Sequence, residues 1–270
     1  MNRMLIDTHC HLDESHTPEP DELLTRARSA GVGAFVCVGV GGLPSAQQAL
    51  ALAGRRADVV ATVGVHPHDA AANDAATEAA IALLTRDDGV VAVGEIGLDF
   101  HYDHSPRAVQ AEVFRRFIAL ARELRKPIVV HTRSAARETL DILQQESARD
   151  VGGVIHCFSE DLPFAKAALD LDFDLSFSGI VTFKNAEQIR EVAAWAPGAR
   201  VLLETDSPYL APIPKRGRRC EPAFVVHTAA FVAELRKTSV GELAELTTQN
   251  ACRRFGPRLA QAVASVQNTS

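Results

Sequence analysis

Three short apolar runs decide the fold: VVATVGV at Val59–Val65, VVAVGE at Val90–Glu95 and IVVH at Ile128–His131. Each run is almost continuously apolar and rich in β-branched residues, as strands buried on both faces require. Between the second and third runs, apolar residues recur at intervals of three and four, which indicates a helix. This part of the chain therefore alternates strand and helix, the pattern of a parallel sheet.

The same alternation extends over the whole chain. Five further runs bring the predicted strands to eight, at Met4–Asp7, Ala34–Gly39, Gly153–His156, Phe173–Ser178 and Arg200–Glu204. Helical patterns lie between or after them, including Asp21–Ala30, Ala75–Thr85, Ala108–Arg125, Ala135–Glu146, Leu162–Leu171, Glu187–Trp195, Pro222–Leu235 and Val240–Arg254. Eight such units in 270 residues close most economically into a barrel, so we predict one α/β domain over residues 1–270, a (β/α)8 TIM barrel.

Composition limits the function classes. The chain carries 34 acidic and 28 basic residues, a net charge of −6, which argues against a protein that coats nucleic acid by bulk charge. No apolar run approaches the roughly 20 residues of a membrane span, and the N-terminus lacks the pattern of a signal peptide. The five cysteines are scattered, which indicates reduced thiols. We therefore expect a cytoplasmic protein without membrane association, and we infer no obligate protein partner.

The end of the first strand carries two histidines, His9 and His11, in the sequence DTHCHLD. Residues two apart on a strand share a face, so both imidazoles can chelate one ion. The same alternation predicts Leu5 and Asp7 as their inward companions, with Ile6 and Thr8 facing outward.

Four more residues of the metal-ligand type stand at the C-terminal ends of other strands: Glu95, His131, His156 and Asp206. Barrel active sites assemble at this edge. A turn or core role would explain any one of them, but it explains six at one edge poorly. Four imidazoles and two carboxylates exceed the needs of one four-coordinate zinc, and they suit two divalent ions such as Mg²⁺, Mn²⁺ or Zn²⁺.

We assign His9, His11 and Asp206 to the first ion, and His131 and His156 to the second. Glu95 has two carboxylate oxygens and is the expected bridge between them. Two neighbouring ions make water a nucleophile and are typical of phosphoester hydrolysis. Asp206 and Glu95 are the predicted catalytic residues, with Asp206 as the base.

A series of motifs resembles the TatD family of metal-dependent deoxyribonucleases. The matching stretches are DTHCHLD, GVHPH, GEIGLDF, HTRSA, HCFSE, FSGIVTFKNA, LLETDSPYLAP and TTQNACRRF, in this order over about residues 5–256. The resemblance implies a TIM barrel, two metal ions and a nuclease, with exonuclease action and DNA in preference to RNA as substrate. The ligands of the family fall on the same six residues.

The chain departs from the family pattern in two loops predicted near the site. Cys220 stands where the family usually has Asn, and the segment after GEIGLD reads FHYDH at residues 100–104. Six residues are candidates for contacting substrate: His66, His68, Arg133, Glu204, Arg216 and Arg218. For the basic run around Arg216, a solvated loop is an equally good interpretation. The remaining histidines we interpret as surface or structural residues: His16, His101, His104 and His227.

Two other function classes stay open. An amidohydrolase-type enzyme would cleave C–N or ester bonds, including the aminoacyl ester of a tRNA. Many such enzymes bridge their metals with a carboxylated lysine, but here Glu95 occupies the bridging position and no lysine ends a ligand-bearing strand. The second class is a binding protein that needs metal but catalyses nothing.

Overall fold

The computed structural model describes residues 4–12 and 19–267, so Asp13 and His16 lie outside the described residues. Eight parallel strands form one sheet in chain order, from β1 to β8. The predicted (β/α)8 barrel is thereby confirmed. The strands are β1 (Leu5–Cys10), β2 (Val32–Gly39), β3 (Val59–Val63), β4 (Val90–Asp99), β5 (Ile128–Arg133), β6 (Gly153–Ile155), β7 (Phe173–Phe177) and β8 (Val201–Leu203).

Backbone hydrogen bonds join β1 to the chain that follows β8. The Asp206 N–H donates to the His9 carbonyl at 2.9 Å, and the His11 N–H donates to the Ser207 carbonyl at 2.8 Å. The Thr8 hydroxyl adds a bond to the Leu203 carbonyl at 3.0 Å. The barrel is therefore closed at the edge where the metal-ligand residues stand.

Helices separate the strands and continue after the last one. They are α1 (Pro20–Ser29), α2 (Leu43–Arg55), α3 (Ala75–Leu84), α4 (Arg107–Leu124), α5 (Ala136–Gln145), α6 (Leu162–Asp170), α7 (Glu187–Trp195), α8 (Val225–Leu235), α9 (Val240–Phe255) and α10 (Pro257–Gln267). Two of these, α2 and α10, are absent from the sequence-based assignment. The buried face of α2 consists of Leu52 and the small residues Ser45, Ala46, Ala49 and Ala53. No helix within residues 4–12 and 19–267 is long and apolar enough to span a membrane.

The apolar core has two layers. Residues from seven of the strands meet inside the barrel with residues of α9 and α10; among them are Ile6, Val36, Val60, Ala92, Val129, Val154, Leu202, Phe255 and Leu259. The outer faces of the strands pack against the surrounding helices. Burial of this apolar surface holds the strand ends in place and leaves their C-terminal edge for polar side chains.

Two strands on the site side carry an extra residue. In β1, Asp7 pairs with Phe35 and Cys10 pairs with Cys37, so three steps of β1 match two steps of β2. In β4, Gly94 and Ile96 pair with consecutive residues of β5, which leaves Glu95 as the additional residue. Such bulges redirect side chains and are common next to active sites.

The bulge in β1 makes the predicted side-chain alternation wrong in the first half of that strand. Ile6 packs inside the barrel, whereas Leu5 packs outward against the helices. The Thr8 hydroxyl also points inward, 3.2 Å from the hydroxyl of Ser176 on β7. His9 and His11 face the interior all the same, because the extra residue shifts the alternation before they are reached.

Candidate metal centre

A cavity of about 680 Å³ opens at the C-terminal ends of the strands. Its walls include eight of the predicted site residues: His11, His66, His68, Glu95, His131, Arg133, His156 and Asp206. The parallel strands deliver these side chains to one edge because every strand runs in the same direction.

Glu95 lies at the centre of the histidines. Its Oε2 is 3.3 Å from His9 Nε2. Its Oε1 is 2.9 Å from both His131 Nδ1 and His156 Nε2, and 3.4 Å from His66 Nε2. Glu95 is 2% exposed, and both of its carboxylate oxygens face imidazoles.

Asp206 lies on the other side of His9. Its Oδ1 is 3.4 Å from His11 Nε2 and 3.7 Å from His9 Nε2. The residue has a φ of +59° at the end of β8, where the chain turns away from the barrel. The bond from its N–H to the His9 carbonyl fixes the turn, so the closure of the barrel positions this carboxylate.

The structure contains three sets of potential ligands, and the donor atoms within each set lie within 4.8 Å of one another. The members of these sets differ in part from the assignment made from the sequence. One set holds His9, His11 and Asp206, as assigned from the sequence. His9 also joins Glu95 and His156 in a second set, and a third set holds His66, Glu95 and His131. His131 and His156 were expected to share an ion and fall into different sets. His66, considered as a substrate contact, lies among the potential ligands because GVHPH ends β3 at the same edge.

Charge is unevenly shared in this cluster. Burial raises the pKa of Glu95, but the nearby imidazoles outweigh it and hold the pKa well below its ordinary value. Burial opposes charge on His156, yet Glu95 and Glu204 raise its pKa well above the usual range. Burial instead lowers the pKa of His9, and it lowers the pKa of His66 to about 4. His9 and His66 are therefore neutral at pH 7, the form of imidazole that binds metal.

The ring nitrogens of His9 indicate whether the residues of this cluster fit a metal ion. Among the side chains that the structure describes, both of its ring nitrogens are buried without a hydrogen-bond partner. Buried polar atoms almost always have a partner, because an unpaired one costs about 1–3 kcal/mol. Neutral imidazole beside ionised carboxylate is a donor set for a divalent cation. The residues present fit such an ion.

Two buried carboxylates contact the histidines, Glu204 behind His156 and Asp99 at the wall of the cavity. Glu204 is fully buried; its Oε1 lies 3.1 Å from His156 Nδ1 and accepts the Cys157 N–H at 2.7 Å. Asp99 Oδ2 lies 2.8 Å from His68 Nε2 and 3.2 Å from His131 Nε2. Carboxylates in this position fix the orientation of ligand imidazoles.

The sequence did not predict the positions of these two carboxylates correctly. Glu204 was a candidate for contacting substrate, but it lies behind His156. Asp99 was missed, although the last residue of GEIGLD is a carboxylate at the end of an apolar strand, as Glu95 and Asp206 are. That shared position could have identified Asp99 as a further residue of the site.

Of the other predicted substrate contacts, Arg133 lines the cavity, whereas Arg216 and Arg218 do not. Arg133 is exposed at the rim of the cavity, with its guanidinium 4.7 Å from the ring centre of Tyr102. The Arg216 guanidinium lies 3.8 Å from the ring centre of Phe183. Neither Arg216 nor Arg218 is among the described residues that line the cavity. His104, expected to have a surface or structural role, does line it.

Cys220, where the family usually has Asn, is buried. It is 2% exposed, and its N–H donates to the Pro208 carbonyl at 3.0 Å, just beyond the site. Burial raises the pKa of its thiol, so it packs as an uncharged side chain.

Comparisons with known proteins agree with this architecture. Residues 6–256 match the family described as TatD related DNase. The chain is 45% identical over 255 residues to the uncharacterized metal-dependent hydrolase YcfH of Escherichia coli K12, covering 93% of this chain and 95% of that protein. It is 37% identical over 241 residues to the 3′-5′ ssDNA/RNA exonuclease TatD of Erwinia tasmaniensis, covering 87% and 93%. The crystal structure of YjjV, a TatD homologue of E. coli K12, superimposes with a TM-score of 0.85 at 27% identity, covering 96% and 98%. The chain belongs to the TatD family of metal-dependent hydrolases.

Proposed function

We propose that this protein is a two-metal phosphodiesterase that cleaves nucleic acid, with DNA as the preferred substrate and exonuclease action. The observation that carries the proposal is the position of Glu95. Its Oε2 faces His9, which also belongs to the set with His11 and Asp206, while its Oε1 faces His66, His131 and His156. Glu95 itself belongs to two donor sets, one with His9 and His156 and one with His66 and His131, and a carboxylate shared by two sets suits a bridge between two ions.

The ions would be held by residues already placed around the cavity. His9, His11 and Asp206 would hold one, and His131 and His156, with His66 beside them, would hold the other against Glu95. Divalent ions in such a pair supply the Lewis acidity that activates water and offsets the charge of a phosphodiester. Their identity is proposed as Mg²⁺, Mn²⁺ or Zn²⁺, and imidazole donors favour the latter two.

The remaining chemistry belongs to side chains of the chain. Asp206 has a side chain that is 14% exposed, so it reaches the cavity and can take the proton of the attacking water. Glu204 and Asp99 hold His156 and His131 in orientation. Arg133, exposed at the rim, is positioned to bind a phosphate.

Nucleic acid as the substrate is further supported by the E. tasmaniensis relative, whose name specifies single-stranded DNA and RNA. The net charge of −6 does not oppose this, because binding would depend on the local field of ions and arginines rather than on total charge. Location in the cytoplasm stays a prediction.

The experiment begins with elemental analysis of protein purified without added metal. A 3′-labelled single strand and its duplex are then incubated with each divalent metal in turn. We expect cleavage by the wild type and a loss of at least about 100-fold in Asp206→Asn, because a general base contributes roughly 10²–10⁴-fold. Asp141→Asn, on the exposed face of α5, is the matched control and keeps full activity.

Two results would overturn the proposal. The first is a wild type that cleaves neither DNA nor RNA with any metal. The second is hydrolysis of an ester, a cyclic amide or a charged tRNA without cleavage of nucleic acid, which would favour the amidohydrolase alternative.

A further inference from the structure

Both tyrosines of the chain line the same cavity. The sequence contains two, Tyr102 and Tyr209, and they are 51% and 52% exposed. Tyr102 follows β4 and Tyr209 follows β8, so they approach the metal centre from different strands. Large aromatic surfaces left open beside a polar site are suited to a flat ligand.

Tyr102 is part of a row of flat side chains at the rim. Its ring is nearly parallel to that of His104, with an interplanar angle of 7° and ring centres 5.5 Å apart. The Arg133 guanidinium lies 4.7 Å from the Tyr102 ring centre. All three side chains are exposed, so the row can be extended by another planar group.

Hydrogen bonds tie both tyrosines to acidic residues of the centre. The Tyr102 N–H donates to Asp99 Oδ1 at 2.9 Å, while Asp99 Oδ2 contacts His131. The Tyr209 N–H donates to the Asp206 carbonyl at 2.9 Å. These bonds fix the backbone from which each aromatic ring extends relative to the proposed ligands.

We propose that Tyr102, with Arg133 and His104, forms a stacking platform for one nucleobase, and that Tyr209 contacts a second base across the cavity. The proposal rests on the proposed nuclease function and assigns its substrate-positioning residues. Each nucleobase presents a flat π face, and stacking on an aromatic side chain strengthens binding whatever the identity of the base. Bases inside a duplex already stack on their neighbours, so the platform favours unpaired nucleotides.

The test measures binding separately from cleavage. Fluorescence anisotropy of a labelled oligothymidylate is recorded with Mn²⁺ in an Asp206→Asn background, where a gel verifies that the strand stays intact. Tyr102→Ala and Tyr209→Ala are compared with Tyr102→Phe and Tyr209→Phe. A second oligomer of equal length has the same phosphates but hydrogen in place of every base.

We expect each alanine variant to raise the Kd for oligothymidylate roughly tenfold, while the phenylalanine variants bind normally because they keep the π face. Binding of the base-free oligomer is expected to be equal in all five proteins. In the background with Asp206 intact, the alanine variants should raise KM with little change in kcat.

Failure of this inference and failure of the nuclease proposal give different results. If the wild type cleaves DNA and the alanine variants bind oligothymidylate normally, the platform is wrong and the nuclease proposal stands. The platform is equally wrong if phenylalanine and alanine weaken binding alike, or if the base-free oligomer loses as much affinity. A wild type that neither binds nor cleaves any strand overturns both.

Discussion

His9 and Glu95 meet at 3.3 Å although they lie on β1 and β4, which do not pair with each other. Both residues stand at a bulge, where one strand has a residue more than its neighbour. At the bulge in β1, the consecutive side chains of Thr8 and His9 both face the interior, and at the bulge in β4 Glu95 is the additional residue that faces it. The contact at the heart of the candidate centre is therefore a product of strand irregularity rather than of regular alternation.

Glu95→Gln is expected to lower the number of bound metal ions. Gln keeps the shape of the side chain but loses the negative charge that would balance two neighbouring cations. We therefore expect at most one ion to remain, held by His9, His11 and Asp206. Inductively coupled plasma mass spectrometry of gel-filtered protein measures the ratio. Glu123→Gln, an exposed position on α4, serves as the control. A Glu95→Gln protein with the metal content of the wild type would contradict the bridging role.

Glu204→Ala is expected to weaken metal binding and activity by about 10–100-fold, because His156 loses the carboxylate that orients it. Glu204→Gln keeps an oxygen that can accept the Cys157 N–H, so we expect it to retain most of both. Titration with Mn²⁺ measures the affinity, and thermal unfolding without metal measures the fold. If Glu204→Ala lowered the thermal stability but left the Mn²⁺ affinity unchanged, the role of Glu204 would be structural only.

Gly97→Ala is expected to destabilise the protein and to displace His131. Gly97 has a φ of +145° and pairs with His131 across β4 and β5. An added Cβ would collide with the His131 carbonyl oxygen. We expect a loss of about 1–3 kcal/mol in the free energy of unfolding, measured with urea, together with weaker metal binding.

Gly54→Ala is the matched control for that substitution. Gly54 lies in α2, and an added Cβ there meets no atom within 4 Å. Alanine in a helix is expected to stabilise the protein by about 0.5–1 kcal/mol without changing metal affinity. Equal effects of the two alanines would contradict the close approach at Gly97.

Asp172→Asn is expected to change stability in a pH-dependent way, far from the metal centre. Burial alone would raise the pKa of Asp172, but Arg254 and Arg200 lower it below the ordinary 3.8. A carboxyl whose pKa is lowered by folding contributes stability above the unfolded pKa and loses it as the pH falls through the folded value. The side chain is 43% exposed, so solvent screening limits the contribution to about 1 kcal/mol.

Urea unfolding of wild type and Asp172→Asn at several pH values tests this sign. The wild type should be the more stable protein at neutral pH, and the difference should begin to shrink as the pH falls toward 3.8 and disappear only below the lower pKa of the folded protein. Asn is a suitable replacement because it tolerates the φ of +65° at this position. A difference that is constant over the pH range would show that the carboxylate charge does not contribute.

The architecture, and the edge of the barrel that carries the candidate site, could be predicted from the amino-acid sequence. Near-continuous apolar runs alternating with helical patterns leave few folds open, and the parallel barrel was confirmed. Because parallel strands end at a common edge, residues at their C-terminal ends had to come together, whatever the details of packing. Their role as metal ligands stays a prediction that the experiments above address.

Which of these side chains lie close to one another could be learned only from the packed barrel. A strand that is apolar on both faces has no alternation from which to read side-chain direction, so the bulges at His9 and Glu95 left no trace in the sequence pattern. The grouping of His66 with His131, and the support of His156 by Glu204, depend on that direction and on register between strands. Those are properties of packed neighbours, which a list of residues in chain order does not contain.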